Sequence, residues 1–166
     1  DANNVTAVGR SGTILRTTNG GSDWLQQTSG TTEHLTSVSA TDANNVTAVG
    51  YSGTILRTTN SGTDWIQQTS GTSYSLNSVS FTDGNNGCAV GIDYTGVSYP
   101  GTIIRTTDGG ANWTTQLSGL SNWLFSICFA NSNTGWAVGG GIILNTIDGG
   151  ANWNAQVSGT TNWFNG

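Results

Sequence analysis

Lysine and methionine are absent from this 166-residue chain, and proline, histidine and glutamate each occur once. Only 8% of residues are charged, against about a quarter in an average globular domain. The four arginines are scattered and the formal net charge is −5. That leaves no basic patch to neutralise a phosphate backbone, which excludes nucleic acid as a partner. No apolar run approaches the ~18–20 residues that cross a bilayer as a helix, so membrane insertion is excluded as well. The two cysteines, Cys88 and Cys128, stand alone without a nearby Cys or His. They match no metal-ligand spacing, and neither a metal nor a cofactor is expected. Helical periodicity is missing throughout.

Low charge with abundant Gly, Thr, Ser and Asn could describe a disordered chain. Seven tryptophans and regular Val, Ile and Leu runs argue instead for a folded domain of strands and turns. The chain begins at Asp1 without a methionine, and it is read as a processed or excised piece. The absence of lysine and the Thr/Asn richness point to export, with an extracellular, cell-surface or periplasmic location.

Self-similarity organises the chain. Residues 1–32 and 42–73 are nearly identical, and Trp24, Trp65, Trp113 and Trp153 recur at steps of 41, 48 and 40 residues. The repeats run roughly over 1–34, 35–75, 76–123 and 124–166, and an insertion at 92–100 accounts for the longer step. Within one unit, "LNSVSFT" (76–82), "GCAVG" (87–91), "GTIIRTT" (101–107) and "WTTQL" (113–117) alternate or are β-branched, and turn residues separate them. These read as four short antiparallel strands. Four strands in about 40 residues, repeated, define a β-propeller blade. A parallel solenoid is the weaker alternative, because its rungs are shorter and have no hairpins. The fold class is therefore all-β, a partial propeller of four blades.

A polar stretch, "RTTNGGSDW", closes each unit and returns as "RTTNSGTDW", "RTTDGGANW" and "NTIDGGANW". Asn19, Asn60, Asp108 and Asp148 can fold back on the backbone of their turns. Gly21, Gly62, Gly110 and Gly150 permit a left-handed backbone. Trp24, Trp65, Trp113 and Trp153 are expected to cap the blade edge. The pattern resembles the Asp-box, or BNR repeat, of sialidase-type propellers. The fuller unit is similar to the repeat of the photosystem II assembly/stability factor-like family. The resemblance covers nearly the whole chain. It implies a propeller with the box between the third and fourth strands of each blade, on the end away from the usual binding face. It specifies fold rather than function, since such repeats occur in many unrelated exported proteins.

A sialidase-like enzyme needs clustered arginines, a Tyr–Glu pair and an acid. Here Arg16, Arg57 and Arg105 repeat by blade, Asn145 takes the fourth place, and Glu33 beside His34 reads as a solvated loop. The expectation is a non-catalytic scaffold or interaction module. Its partners would be other protein chains or further copies of itself. A glycan-binding propeller is the first alternative, and a fragment of a sialidase-like glycosidase the second. A binding face is expected where loops differ between copies, at His34, Tyr51, Tyr74, Tyr94, Tyr99, Trp123 and Trp163, whose aromatic rings suit sugars or protein anchors. The first blade is expected to lack its inner strand, and "NWFNG" at the C-terminus to begin another. Cys88 and Cys128 fall on neighbouring blades and are a candidate disulfide.

Overall fold

The computed structural model of the chain describes residues 3–94 and 100–165. It contains four antiparallel sheets, each a meander in chain order. The first sheet has three strands, β1 (Val5–Val8), β2 (Ile14–Thr17) and β3 (Leu25–Gln27). The second has β4 (Leu35–Ala40), β5 (Val46–Gly50), β6 (Ile55–Thr58) and β7 (Ile66–Gln68). The third has β8 (Ser75–Phe81), β9 (Gly87–Ile92), β10 (Gly101–Thr106) and β11 (Thr114–Leu120). The fourth has β12 (Leu124–Phe129), β13 (Gly135–Gly139), β14 (Ile143–Thr146) and β15 (Asn154–Gln156).

Strand alternation sends successive side chains to opposite faces of each sheet, so an inner blade feeds two cores. In β9, Ala89 faces the second blade and packs with Val49, Ile55 and Ile104. Its neighbours Cys88 and Val90 face the fourth blade and pack with Ile127, Ala137 and Leu144. The first and second blades share a third core built on Ile14, Leu35, Ala48 and Leu56. Burying each such aliphatic side chain contributes about 1.5–3 kcal/mol. No blade could hide both faces alone.

Serines stitch the inner strands together. The amides of Val79 and Phe81 donate to Ser37 Oγ at 3.2 Å and Ser39 Oγ at 3.0 Å. The Ile127 amide donates to Ser78 Oγ at 3.3 Å. Consecutive first strands therefore lie side by side, as they do around a propeller axis.

Two details depart from the sequence reading. The fourth strand of the third blade runs on to Leu120 rather than stopping near residue 117, because β9 and β10 are lengthened at the insertion and give it more edge to pair with. At the base of that insertion the Asp93 amide donates to the Pro100 carbonyl at 3.0 Å. The disulfide expectation fails: both cysteines are free. Cys88 points into the core between the third and fourth blades. Cys128 lies on β12 one residue past core-facing Ile127, so alternation turns it to the far, exposed face.

The tryptophans do more than cap an edge. Trp65, Trp113 and Trp153 pack into the interface with the preceding blade. Trp65 Nε1 donates to Gln27 Oε1 at 3.0 Å, and Trp113 Nε1 to Gln68 Oε1 at 3.4 Å. The same glutamines donate onward to the box turn, Gln27 to Ser61 O and Gln68 to Gly109 O. At the third interface this clasp is absent. Gln116 bonds Thr114 on its own strand, and Trp153 Nε1 bonds Gly150 O. Trp24, with no described blade before it, is 42% exposed.

Gln27→Ala is expected to cost about 1 kcal/mol, the worth of a hydrogen bond lost from a part-buried site. Gln116→Ala should cost under about 0.5 kcal/mol. Urea unfolding of the two variants measures the difference. Burial pushes the Cys88 thiol pKa up to about 12, and a thiolate is the species that reacts. A thiol reagent should therefore label Cys128 in the native protein and Cys88 only after unfolding, as mass spectrometry would show.

Candidate functional site

The four box turns are closed hydrogen-bond systems. In the first, Asn19 Oδ1 accepts from Thr17 Oγ1 at 2.8 Å and from the Asp23 amide at 3.0 Å. Asn19 Nδ2 donates to Asp23 Oδ2 at 2.9 Å. Asn60 repeats this with Thr58 and Asp64. In the third and fourth turns the partners exchange roles. Asp108 Oδ1 accepts from Thr106 and the Asn112 amide, and Asn112 Nδ2 donates to Asp108 Oδ2 at 2.7 Å. Asp148 and Asn152 do the same. The sequence carries this exchange openly, as Asn-x-x-x-Asp in the first two boxes and Asp-x-x-x-Asn in the last two. One member must donate and the other accept, whichever way round they stand.

The box glycines sit where the preceding blade presses. A Cβ on Gly62 would strike the Gln27 amide, and one on Gly110 the Gln68 amide, with φ at +80° and +89°. Arginines hold the same junctions. Arg16 Nη2 donates to Ala43 O at 2.6 Å, Arg57 Nη2 to Gly84 O at 2.7 Å, and Arg105 Nε to Gly149 O at 2.8 Å. Each reaches across to the next blade. Asn145, in the fourth position, bonds within its own sheet to Gly135 O and Thr146 O. Gln27, Gln68 and the inner-strand serines are the residues that the sequence reading passed over. The repeated "QQTSG" was the available signal for the glutamines.

Away from the boxes, three of the candidate aromatics form a row across the second and third blades. The His34 and Tyr51 rings lie 5.3 Å apart, and Tyr51 and Tyr94 6.4 Å apart. A tight 3-10 turn at Tyr51–Gly53 holds Tyr51 out, and the Gly53 amide locks it by donating to the Tyr74 carbonyl at 2.8 Å. His34 Nδ1 accepts from the Ser11 amide at 3.1 Å, which assigns the ring proton of the neutral form to Nε2. Partial burial raises the Tyr94 phenol pKa; Tyr51 adds to this, and a hydrogen bond from Asn77 opposes it. Tyr51 and Tyr94 are 41% and 52% exposed. Tyr74 is half-buried, and Tyr99 lies outside the described residues.

Trp123 and Trp163 form a second group, with ring centres 4.8 Å apart and Phe125 beside both. The Phe164 amide donates to Gly139 O at 3.0 Å, as the Leu35 amide donates to Gly9 O. Phe164 thus stands on the fourth blade where Leu35 stands on the first. The cleft between Trp123, Trp163, Asn122 and Gly140 measures about 160 Å³, below the ~300 Å³ that a drug-sized ligand fills. Trp163 is 62% exposed, so this pair offers a surface rather than a pocket.

The carboxylates with displaced pKa values all move the same way. Asp42 and Asp83 are held below the ordinary range by Asn45 and Asn86, and Asp108 by Asn112. Hydrogen bonds from Asn152 bring Asp148 to about 2. Among the described residues no group of three His, Cys, Asp or Glu could hold a metal ion. No described helix is long and apolar enough to cross a membrane.

Antiparallel four-stranded blades, inner strands side by side and box turns gripped by the blade before, define a partial β-propeller. It is a propeller repeat protein that resembles YCF48 in fold. A YCF48 bound to a D1 peptide superposes with a TM-score of 0.59 at 17% identity, covering 93% of this chain and 77% of that one. For YCF48 from Cyanidioschyzon merolae the TM-score is 0.63 at 18% identity, covering 93% of this chain and 56% of that one. An ancestral GH74 enzyme gives 0.73 at 22% identity, covering 92% of this chain and 22% of the enzyme. The chain thus spans just over half of the Cyanidioschyzon protein and about a fifth of the GH74 enzyme. These identities speak to fold. No protein-family model and no curated protein matches the chain in sequence.

Because the folded pKa of Asp148 lies below its ordinary 3.8, the fold favours the ionised form. That stabilisation is complete above about pH 4 and is lost as pH falls towards 2. NMR titration should find the Asp148 carboxyl titrating near 2 while the side chains of Asn19 and Asn60 do not titrate. Asn112→Asp should lower Tm at neutral pH by setting two carboxylates against each other. Adding Asp108→Asn to it rebuilds the pairing of the first two boxes and should restore Tm.

Proposed function

We propose that the chain is a non-catalytic interaction module, carried outside the cytoplasm, that binds a protein segment across its loop face. The observation that carries this reading is the His34–Tyr51–Tyr94 row. It crosses two blades on loops that differ between copies, while the polar side chains of the box turns are spent on closing those turns. Exposed aromatics of this kind supply much of the energy of protein recognition. A likeness in fold to a YCF48 that holds a D1 peptide supports the same class of partner.

Catalysis is disfavoured by the carboxylates. A general acid needs a raised pKa, and the displaced aspartates here are lowered by the bonds that close their turns. The repeated arginines, which a sialidase-like site would need clustered on a substrate, are spent on carbonyls of neighbouring blades. A glycan-binding reading rests on a different observation, the exposed Trp163 tilted against Trp123, since flat indoles suit sugar rings. The GH74 likeness in fold adds weight to it. Further copies of the chain are the third class of partner, through apolar surface at Val5, Trp24 and Leu25.

Tyr51→Ala with Tyr94→Ala should weaken binding to a bound peptide at least about tenfold, as loss of anchor aromatics does, and leave Tm nearly unchanged. An array of extended peptides and an array of glycans, probed with the parent and the double variant, test this. Peptide binding that survives the double substitution would sink the proposal. Glycan binding lost on Trp163→Ala would favour the second reading.

A further inference from the structure

His34 is the one histidine of the chain, and it ties two blades together through two different atoms. Its backbone carbonyl accepts from the Tyr51 amide at 2.9 Å, in the tight turn of the second blade. Its Nδ1 accepts from the Ser11 amide at 3.1 Å, in the matching turn of the first blade, Arg10–Gly12. Held by these two ties, the ring stands 5.3 Å from the Tyr51 ring, tilted by 42°, as the first member of the aromatic row. The arrangement is specific to this copy. A Cβ on Gly50, Gly91 or Gly139 would strike the carbonyl of His34, Ser75 or Trp123, which marks these three as equivalent places on successive blades. Neither serine nor tryptophan there can change its charge.

We propose that His34 positions the row only while its ring is neutral, so that binding across this face weakens as the pH falls; this rests on the reading of the row as the peptide site. A neutral imidazole can offer a lone pair at Nδ1, whereas the protonated ring donates from both nitrogens. Protonation therefore sets one N–H against the Ser11 N–H, and that tie breaks. The turn itself survives, since the Gly12 amide stays on the Glu33 carbonyl at 2.8 Å and the Thr13 amide on the Arg10 carbonyl at 3.1 Å. What moves is the ring. Its charged and titratable neighbours are Arg10 beside Ser11, Glu33 next to it in the chain, Tyr51 across from it and Tyr94 one ring further along. Of these residue types only histidine ordinarily changes charge between about pH 5 and 8. Glu33 reaches the second blade's turn, where its carboxylate accepts from Ser52 Oγ at 3.4 Å. It offers the freed imidazolium an acceptor away from Ser11, and the cation of Arg10 works against the ring's staying.

Amide hydrogen exchange, followed by NMR on the whole chain, tests the tie without any ligand. Protection of the Ser11 amide, taken relative to the unfolded-peptide rate at each pH, should fall at least about tenfold between about pH 7.5 and about pH 5. The Gly12 amide should keep its protection. An array of extended peptides free of histidine and acidic residues tests the consequence. Peptides whose signal depends on Tyr51 and Tyr94 should bind at least about threefold more weakly at the lower pH. His34→Gln, which keeps an acceptor that cannot titrate, should remove that difference. Constant protection of Ser11, or an equal pH dependence in the parent and in His34→Gln, would overturn the proposal. Should no peptide depend on Tyr51 and Tyr94, the peptide reading fails and the Ser11 amide alone decides the tie: lost protection upholds it, constant protection overturns it.

Discussion

One blade's grip on the next blade's box turn is the contact from which the rest of the structure follows. The turn is first made rigid by its own Thr and Asx side chains. It then offers an indole N–H, a glycine surface and free carbonyls to the blade before it. Gln27 and Gln68 take the indole and a carbonyl of the turn together. Arg16 and Arg57 reach a loop carbonyl of the next blade a short distance away. Arg57 also lies over the Phe81 ring at 5.3 Å, which ties the polar grip to the apolar core beneath it. A cation in such a place is held by the ring face as well as by its hydrogen bonds.

The third junction reaches a similar packing by other means. The Cys88 sulfur occupies the place beside Gly150 that the glutamine amides occupy beside Gly62 and Gly110. Arg105 bonds the box turn directly through Gly149 O. An apolar sulfur needs no partner, and an arginine can replace a glutamine as donor. This substitution also explains why Cys88 is buried and chemically quiet. Its position is an interface position, and Cys128 lies one sheet face away from it.

Function is confined by this architecture. The box asparagines and aspartates are spent on closing their own turns, and the arginines on carbonyls of the next blade. What remains is the loop face with its aromatic row and the tilted tryptophan pair of the fourth blade. The aromatic row owes its shape to the tight turn at Tyr51, which is itself held by a carbonyl from the strand entry of the following blade. The aromatic row therefore depends on blade-to-blade register as much as the core does.

Repetition made the fold legible. A turn such as Asn19–Trp24 is closed by residues within five positions of one another, so its chemistry can be read along the chain. The same holds for strand alternation, which puts Ala89 on one face of the sheet and Cys88 and Val90 on the other. The aromatic candidates could be named because they break the repeat, but the sequence could not say that His34, Tyr51 and Tyr94 form a row while Trp123 pairs with Trp163. The glutamine clasp, the serine stitching and the separation of the two cysteines were likewise hidden. Each joins residues some 35 to 50 positions apart across a blade interface, and their geometry depends on the angle and register at which two sheets meet. Local hydrogen-bond valence and side-chain period are properties of sequence; which face meets which neighbour is decided only when the blades pack.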